Sequence, residues 1–302
     1  MNSVQNIPDG FLRRGIVLLM VIIAAVPSLM ADPLNTMSLS GATGLYTVPT
    51  GRVAWTNDAK VGLDFGYHTI IAKKHNYFSN SALQNKDSDG YELNHIPKIS
   101  ASFFKWVDVF LASDFQPSYG LPGDDNDSNN DLITGLKVQL PTKGADIALG
   151  TNFQALNLRN SEFGYQALQL YAAFTHEATI VTLPAETSVT LGKTFGFNND
   201  YDDSLQDFNF DFGMGLDLSL FPKAIPGFFH WIIDYSNFSY SANPWGANAW
   251  FRGTLNTGIR FNFASIAALN DYKFVFDIIL TDAFDEYYRS FSFGLVFGVP
   301  FK

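Results

Sequence analysis

The sequence predicts an all-β fold, a transmembrane antiparallel up-and-down β-barrel of about 12 strands, and three observations support this prediction. Charged residues make up 16% of the 302 residues and aromatic residues another 16%, which is few charges and many rings for a soluble protein. The mean hydropathy is nevertheless only +0.03, so apolar and polar residues are finely mixed along the chain. The third observation is an alternation of apolar and polar residues, which a barrel wall between lipid and water requires.

The alternation is clearest in residues 208–220, where one face carries Phe, Met and Leu and the other carries Asn, Asp, Gly and Ser. A period of two over this length indicates a strand and excludes a helix. Asp and Gly on the second face favour a hydrated lumen, because the inward face of a soluble sandwich would be apolar.

Twelve segments share this pattern with varying clarity, and the segment 187–197 is the weakest because Lys193 falls on its apolar face. Connections after odd-numbered segments are long and polar, and those after even-numbered segments are mostly tight, although 176–186 and 264–271 are longer. This asymmetry is typical of bacterial outer-membrane barrels, with both termini in the periplasm. The predicted strands are 60–69, 96–105, 107–116, 132–140, 147–155, 168–175, 187–197, 208–220, 228–240, 251–263, 273–281 and 290–299.

The N-terminus has the organisation of a secretion signal. Arg13 and Arg14 precede an apolar run over 16–26, and Ala31 follows as a small residue suited to cleavage. We therefore expect a signal peptide over 1–31, an N-terminal periplasmic or plug-like segment over 32–58, and an outer-membrane barrel over 59–302. An uncleaved inner-membrane anchor is the alternative, although the run is short for a spanning helix.

Composition excludes several kinds of site. The chain has no cysteine, so disulfides, thiolate metal sites and cysteine nucleophiles are absent. Its formal net charge is −10, which argues against a nucleic-acid partner.

A motif with glycine, proline and arginine at fixed positions precedes the first predicted strand. It comprises Gly41, Gly44, Pro49 and Arg52 within residues 41–53. The pattern resembles the N-terminal motif of the YjbH-like barrels associated with exopolysaccharide export, although that family usually has alanine where this chain has Gly51. The resemblance implies surface polysaccharide as a cargo. Independently, the glycines allow close backbone approach, and Arg52 has the length to reach a lumenal carboxylate from a position at the periplasmic mouth. An ordinary leader into the first strand is the alternative.

The last predicted strand resembles the signal that the barrel-assembly machinery reads, with a polar residue, a glycine two positions later and alternating apolar residues. The residues that carry it are Ser292, Gly294, Phe297, Val299 and Phe301. Outer-membrane lipids and this machinery are therefore expected partners, and the oligomeric state is left open.

The assigned registers place both acidic and basic residues on the lumenal face. Opposed charges of this kind set ion preference in pores, but they also pair in barrels whose interior is filled. Both interpretations stay open from the sequence. The pore-lining candidates are Lys60, Asp64, Lys98, Lys137, Asp211, Asp217, Asp234, Arg252, Arg260, Lys273 and Asp277.

Other chemistry has weaker support in the sequence. The five histidines, at 68, 75, 95, 176 and 230, lie in no nucleophile motif, so we predict no catalytic residue. The oxygen-rich stretch 124–131 could attract calcium, but it lacks the glycine and terminal glutamate of an EF-hand loop, so we predict no metal and no cofactor. Interfacial aromatic residues are expected at Trp106, Phe228, Phe229, Trp231, Tyr287 and Tyr288.

The sequence thus predicts a passive channel or an export barrel for a small solute or polysaccharide, with a mixed-charge lumen. A structural or surface-exposed interaction barrel that acts through its extracellular loops is the first alternative. An outer-membrane hydrolase is the weakest.

Overall fold

The computed structural model describes residues 34–56, 59–73, 91–116, 129–156, 165–197, 210–238, 253–265, 272–284 and 289–301. Twelve strands lie within these ranges, and one short 3₁₀ turn, Phe263–Ser265, follows the tenth. The strands are β1 Val61–Lys73, β2 Tyr91–Phe103, β3 Val107–Gln116, β4 Asn129–Leu140, β5 Asp146–Leu156, β6 Tyr165–Ile180, β7 Leu183–Phe197, β8 Asp211–Leu220, β9 Phe229–Ser236, β10 Thr254–Asn262, β11 Lys273–Thr281 and β12 Ser290–Phe301.

The strands form one closed antiparallel barrel. Each strand pairs with its neighbours in sequence, and β12 returns to pair with β1, with Val61 opposite Phe301 and Ile71 opposite Phe291. Closure leaves no strand edge unpaired, which a sheet in a bilayer requires. The predicted transmembrane up-and-down barrel of 12 strands is therefore confirmed. β1 begins and β12 ends at the same rim, which is called the terminus end below.

The polarity of the barrel is inverted relative to a soluble protein. Side chains such as Phe65, Leu149 and Leu170 point outward and are about half exposed, whereas Asp64, Lys137 and other charged residues point inward and are buried. A closed barrel with an even strand count and an apolar exterior is the architecture of bacterial outer-membrane proteins. The chain is an outer-membrane β-barrel, as the sequence predicts.

Within the described residues, no helix has the length and apolar character needed to span a bilayer.

Aromatic rings cluster outside the barrel at the terminus end of β9 to β11. Phe228 lies 4.9 Å from Phe229 and 5.4 Å from Phe263, measured between ring centroids. Trp231 is exposed on β9, and Trp106 is exposed in the turn between β2 and β3. These positions suit a girdle at the membrane interface, whereas Tyr287 and Tyr288 lie outside the described residues.

The prediction of a long connection over 176–186 is wrong, because β6 and β7 continue through it and pair as far as Ile180 and Leu183. The turn consists of Val181 and Thr182, both with positive φ. β7 includes Lys193, which faces outward with its amine 5.6 Å from the centroid of the Phe195 ring. Lys193 therefore does not interrupt the strand.

Pro300 lies inside the β12 ladder, opposite Gly62 of β1. Proline lacks an amide N–H and is tolerated where one side of a strand has no partner. The β11 ladder reaches only to the pair of Lys273 and Gly298, so β12 at Pro300 pairs with β1 alone.

Candidate functional site

The barrel interior contains residues 34–55, called the inner segment below. Nearly all of these residues are buried, although none belongs to a barrel strand. The segment folds on itself through two isolated β-bridges, Met37 with Thr43 and Gly44 with Pro49. It lies within the lumen and not only at the mouth, so its position is deeper than the sequence suggested.

Two glycines allow the tight turns of the inner segment. Gly41 has a φ of 89°, in the left-handed region that favours glycine. A Cβ atom on Gly44 would lie 2.5 Å from the carbonyl oxygen of Val48, which is closer than real Cβ atoms approach. The motif glycines are therefore explained by backbone geometry.

The wall holds the backbone of the inner segment through carboxylate acceptors. The amide nitrogens of Tyr46, Thr47 and Val48 donate to one oxygen of Asp234 at 2.9, 2.6 and 3.3 Å. Asn256 donates to the other oxygen at 2.8 Å. Three successive amides on one carboxylate form an anion-binding nest, here with the anion supplied by β9.

Lysines of the wall hold the carbonyl oxygens of the same segment. Lys98 donates to Ser38 at 2.6 Å, and Lys137 donates to Thr43 at 2.8 Å. Lysine can make three such bonds from one ammonium group, and these bonds compensate for part of the cost of burying the charge.

Asp108 of β3 joins two parts of the inner segment that are distant in sequence. It accepts from the hydroxyl of Thr43 at 2.5 Å and from the amide of Ala54 at 3.2 Å. Lys137 lies 3.7 Å away, so the carboxylate is also ion-paired.

Arg52 is the only charged side chain of the inner segment, and it binds three carboxylates near the terminus end. Its Nε donates to Asp146 at 2.5 Å and one Nη donates to Glu177 at 2.8 Å, while the other Nη binds Glu186. Burial by itself would lower the pKa of Arg52, but Glu186 and the other two carboxylates outweigh burial and raise it. Arg52 is therefore a fixed positive charge that ties the segment to β5, β6 and β7.

The turns of the inner segment pack against apolar side chains of the barrel wall, and together these residues form an apolar layer. Leu39, Leu45 and Tyr46 are buried there, and burial raises the pKa of Tyr46 well above its ordinary value. The wall residues of this layer are Ile70, Ile96, Ala112, Ile133, Ile232, Phe238 and Ile279. These wall side chains lie mostly in the part of the barrel away from the terminus end, so the lumen combines a charged level with an apolar one.

Glycines on the lumenal face give the segment room. An added Cβ would lie 2.1 Å from the Trp55 ring at Gly62, 2.9 Å from Met37 at Gly66, and 2.2 Å from Leu45 at Gly215. The glycine-rich face that suggested a hydrated lumen is instead packed against the inner segment. The alternation of the sequence predicts that these glycines face the lumen, but it does not predict that the inner segment packs against them.

The predicted pore-lining residues fall into three groups. Lys60 precedes β1 and is exposed at the rim, so its pore-lining role stays a prediction, and Arg252 lies outside the described residues. Lys273 is mostly buried and lies in the lumen, as do the other predicted residues. Among these, Arg260 donates to both oxygens of Asp277 at 2.8 and 3.0 Å. The remaining inward-facing residues are Asp64, Lys98, Lys137, Asp211, Asp217, Asp234, Arg260 and Asp277.

The residues of the assembly-signal prediction alternate across the β12 wall. Ser292 and Gly294 face the lumen, whereas Phe297, Val299 and Phe301 face outward. Phe301 is half exposed and still paired with Val61. Recognition by the assembly machinery stays a prediction.

Sequence reasoning missed four of the carboxylates that hold the inner segment. They are Asp108, Asp146, Glu177 and Glu186. Strand parity could have found Asp108, because it shares a face with Phe110 and Ala112. The two glutamates lie in the stretch 176–186, which the sequence predicts to be a turn.

The described histidines lie in separate environments. His68 is buried, with Nε2 3.5 Å from Asp277, and His230 bonds Asp217 at 2.6 Å. His95 bonds Tyr67 on the outer face, and His176 is in β6 with Nδ1 3.1 Å from the carbonyl of Gly144. His75 lies outside the described residues.

In the described part of the chain, no group of three or more His, Asp or Glu residues is arranged to hold a metal ion. The oxygen-rich stretch 124–131 lies outside the described residues except for its last three positions, which begin β4.

No protein-family model matches the chain, and no curated protein matches it. The likeness to exopolysaccharide-associated barrels therefore stays a prediction.

Solved outer-membrane barrels are similar to this chain at low levels. Omp33 of Acinetobacter baumannii has 9% identity and a TM-score of 0.39, covering 82% of this chain and 100% of its own. Outer membrane phospholipase A of Escherichia coli has 10% identity and a TM-score of 0.41, covering 79% and 92%. The β domain of the Bordetella autotransporter BrkA has 13% identity and a TM-score of 0.39, covering 81% and 100%. Values this low carry no argument about family or function, and the assignment of the fold rests on the closed barrel itself.

Proposed function

We propose that this protein is a gated outer-membrane channel and that the inner segment is its gate. In the described conformation residues 34–55 fill the lumen, so conduction requires the segment to move. The observation that carries the proposal is how the segment is attached to the wall.

The inner segment can separate from the barrel without breaking the sheet. Among the described residues the hydrogen bonds between its backbone and other backbone groups are internal, such as Ser38 to Ala42 and Leu45 to Val48, both below 3.0 Å. The barrel binds the segment through wall side chains, for example Asp234, Lys98 and the three carboxylates that contact Arg52. Release therefore costs side-chain contacts and leaves every strand ladder intact.

The charged wall also supports a conformation with a hydrated lumen. Replacing buried ion pairs with well-packed apolar residues is often neutral or stabilising, so a permanently filled barrel gains little from them. Asp64, Lys137, Asp234 and Arg260 are nevertheless fully buried charges. In a water-filled pore the same residues are solvated, and rings of charge then select the solute.

We infer that the lumen has room for one extended polymer chain once the segment has left. The inner segment folds back on itself at two bridges, so several passes of polypeptide lie side by side in the interior. A small polar solute or a single polysaccharide strand has a smaller cross-section. Polysaccharide as a cargo comes from the motif resemblance and is the finer part of the proposal.

A closed scaffold that acts through its loops is the second candidate. The apolar layer around Leu39 and Leu45 favours it, because burying aliphatic side chains stabilises the filled barrel by about 2 kcal/mol each. The loops that this function needs, predicted at 72–94 and 118–131, lie mostly outside the described residues.

Planar-bilayer recording of the refolded wild type and of Asp234→Ala tests the proposal. Asp234→Ala removes the acceptor of three amides and weakens the closed conformation. We expect rare, brief openings from the wild type and frequent openings from the variant. A variant that is folded, as shown by circular dichroism and heat-modifiable migration, and still silent would favour the scaffold.

A further inference from the structure

We infer that Asp146, Glu177 and Glu186 form a binding site for organic cations with guanidinium or primary ammonium groups, and that Arg52 occupies this site when the channel is closed. This inference rests on the proposed function, because a solute replaces Arg52 in the site only when the inner segment has moved. It adds a solute class and a form of regulation, since such a cation competes with Arg52.

The three carboxylates come from adjacent strands and bind every edge of one guanidinium group. Asp146 begins β5, and Glu177 of β6 is directly opposite Glu186 of β7. Arg52 Nε and one Nη lie 2.5 and 2.8 Å from Asp146 and Glu177, and the other Nη contacts Glu186. A planar fork matched by carboxylates on each side is the geometry by which proteins recognise guanidinium.

The site opens toward the terminus end. The side chains of Asp146 and Glu177 keep 32% and 26% of their surface exposed, whereas Arg52 keeps 5%. Glu186 keeps 11%, so the accessible groups of the site are two of its three wall carboxylates. A solute at this rim meets the outer edges of the site before the segment moves.

When Arg52 moves away with the inner segment, the wall that remains is strongly acidic. Eleven carboxyl groups face the lumen from the described strand residues, against four lysines and arginines, a formal surplus of seven negative charges. The acids are Asp64, Asp108, Asp114, Asp131, Asp146, Glu177, Glu186, Asp211, Asp217, Asp234 and Asp277, and the bases are Lys98, Lys137, Arg260 and Lys273. A cleft lined by one sign of charge concentrates ions of the other sign. The lumen is therefore predominantly acidic, which refines the mixed-charge prediction.

The inner segment satisfies much of this wall without adding charge. It offers backbone amides to Asp234 and Asp108 and the indole N–H of Trp55 to Asp64. Only Arg52 brings a positive charge, and it does so at the site with three carboxylates. The segment thus carries the chemical group that we assign to the solute.

Chemical rescue of Arg52→Ala tests the site. The probe is ethylguanidinium, and the control cation is choline, which has the same charge and no N–H donor. The readout is the temperature at which the folded, fast-migrating form converts to the unfolded form in detergent. We expect ethylguanidinium to raise this temperature for Arg52→Ala and not for the wild type, whose site is occupied.

The matched control is Arg52→Ala combined with Glu177→Gln and Glu186→Gln. Removing two charged acceptors should weaken the apparent affinity for ethylguanidinium by about tenfold or more. Equal shifts with and without the glutamates, equal shifts with choline, or no shift for Arg52→Ala would overturn the inference. If Arg52→Ala is not recovered folded, Arg52→Gln serves as the second variant, because its neutral side chain leaves the three carboxylates without a cation.

The thermal readout needs no conduction, so it separates the two proposals. A specific shift in a barrel that never conducts supports the cation site and rejects the channel. Conduction without a shift supports the channel and rejects the site.

Discussion

The indole nitrogen of Trp55 donates a 2.9 Å hydrogen bond to the carboxylate of Asp64. This bond joins the last turn of the inner segment to the lumenal face of β1, nine residues further along the chain. Lys273 completes the contact, with its amine 3.0 Å from Asp64 and 4.2 Å from the centroid of the Trp55 ring. Gly62 and Gly298 leave the space for the indole, since a Cβ on either would collide with it. The end of the inner segment that leads into β1 is thus held by the Lys273–Asp64 ion pair and by the Trp55 ring.

We predict that Asp64→Asn destabilises the folded barrel by about 3 kcal/mol, because it leaves the charge of Lys273 buried without an anion. Trp55→Phe keeps the ion pair and loses one hydrogen bond, so its cost should be about 1 kcal/mol. Urea unfolding in detergent micelles, followed by tryptophan fluorescence for Asp64→Asn and by circular dichroism for both, measures the difference. Equal costs for the two variants would show that the ion pair does not stabilise the contact.

A single introduced cysteine should report movement of the inner segment. The chain has no cysteine, and Ser40 is fully buried in the segment, so Ser40→Cys provides one hidden thiol. We expect slow reaction with a polar maleimide, and a faster reaction when Asp234→Ala is added, because the segment then spends more time outside the apolar layer. The readout is the labelling rate by mass spectrometry. Ser40→Cys that reacts as fast as an exposed thiol in both backgrounds would contradict a stably closed lumen.

The sequence was sufficient to predict the barrel because strand alternation is a local property. Asp211 and Phe212 fall on opposite faces whichever residues surround them, and burial alternates with them from Asp211 to Met214. The contents of the lumen depend instead on residues distant in sequence. Asp234 contacts Thr47 across 187 positions, and no period in either stretch indicates that pairing.

The hairpin of β6 and β7 shows why part of the candidate site was not predictable. Two-residue hairpin turns need positive φ and usually contain glycine or asparagine. Here the turn residues are Val181 and Thr182, which have φ values of 49° and 72° and give no turn signal. The sequence therefore predicts a loop from the polar residues on either side, and it does not predict that Glu177 and Glu186 face the lumen.

Gly51→Ala should open the channel without changing any charge. A Cβ on Gly51 would lie 2.1 Å from the carbonyl oxygen of Asp146, so the segment must shift away from β5. The Gly51 amide also donates to Thr175 at 2.8 Å, and that bond should lengthen. We expect a higher open probability in planar bilayers with an unchanged ratio of cation to anion permeability. Thr175→Val, which removes the acceptor but adds no bulk at Gly51, is the control and should have the smaller effect. If the alanine variant has the same open probability as the wild type, the barrel wall moves to accommodate the added Cβ atom and the segment does not shift.

A disulfide between the segment and the wall should lock the channel shut. The hydroxyl oxygens of Thr47 and Ser236 are 3.1 Å apart, so cysteines at both positions bring two sulfurs close to the bond length of about 2.05 Å. We expect the oxidised Thr47→Cys/Ser236→Cys protein to be silent in planar bilayers and the reduced protein to open at least as often as the wild type. The matched control places the bond within the wall, at Thr175 and Ser188, whose hydroxyls are 2.8 Å apart. That control should conduct in both redox states, because its bond leaves the inner segment free. Openings from the fully oxidised segment-to-wall protein would mean that ions cross by a path the inner segment does not block, and the gate would have to be assigned elsewhere.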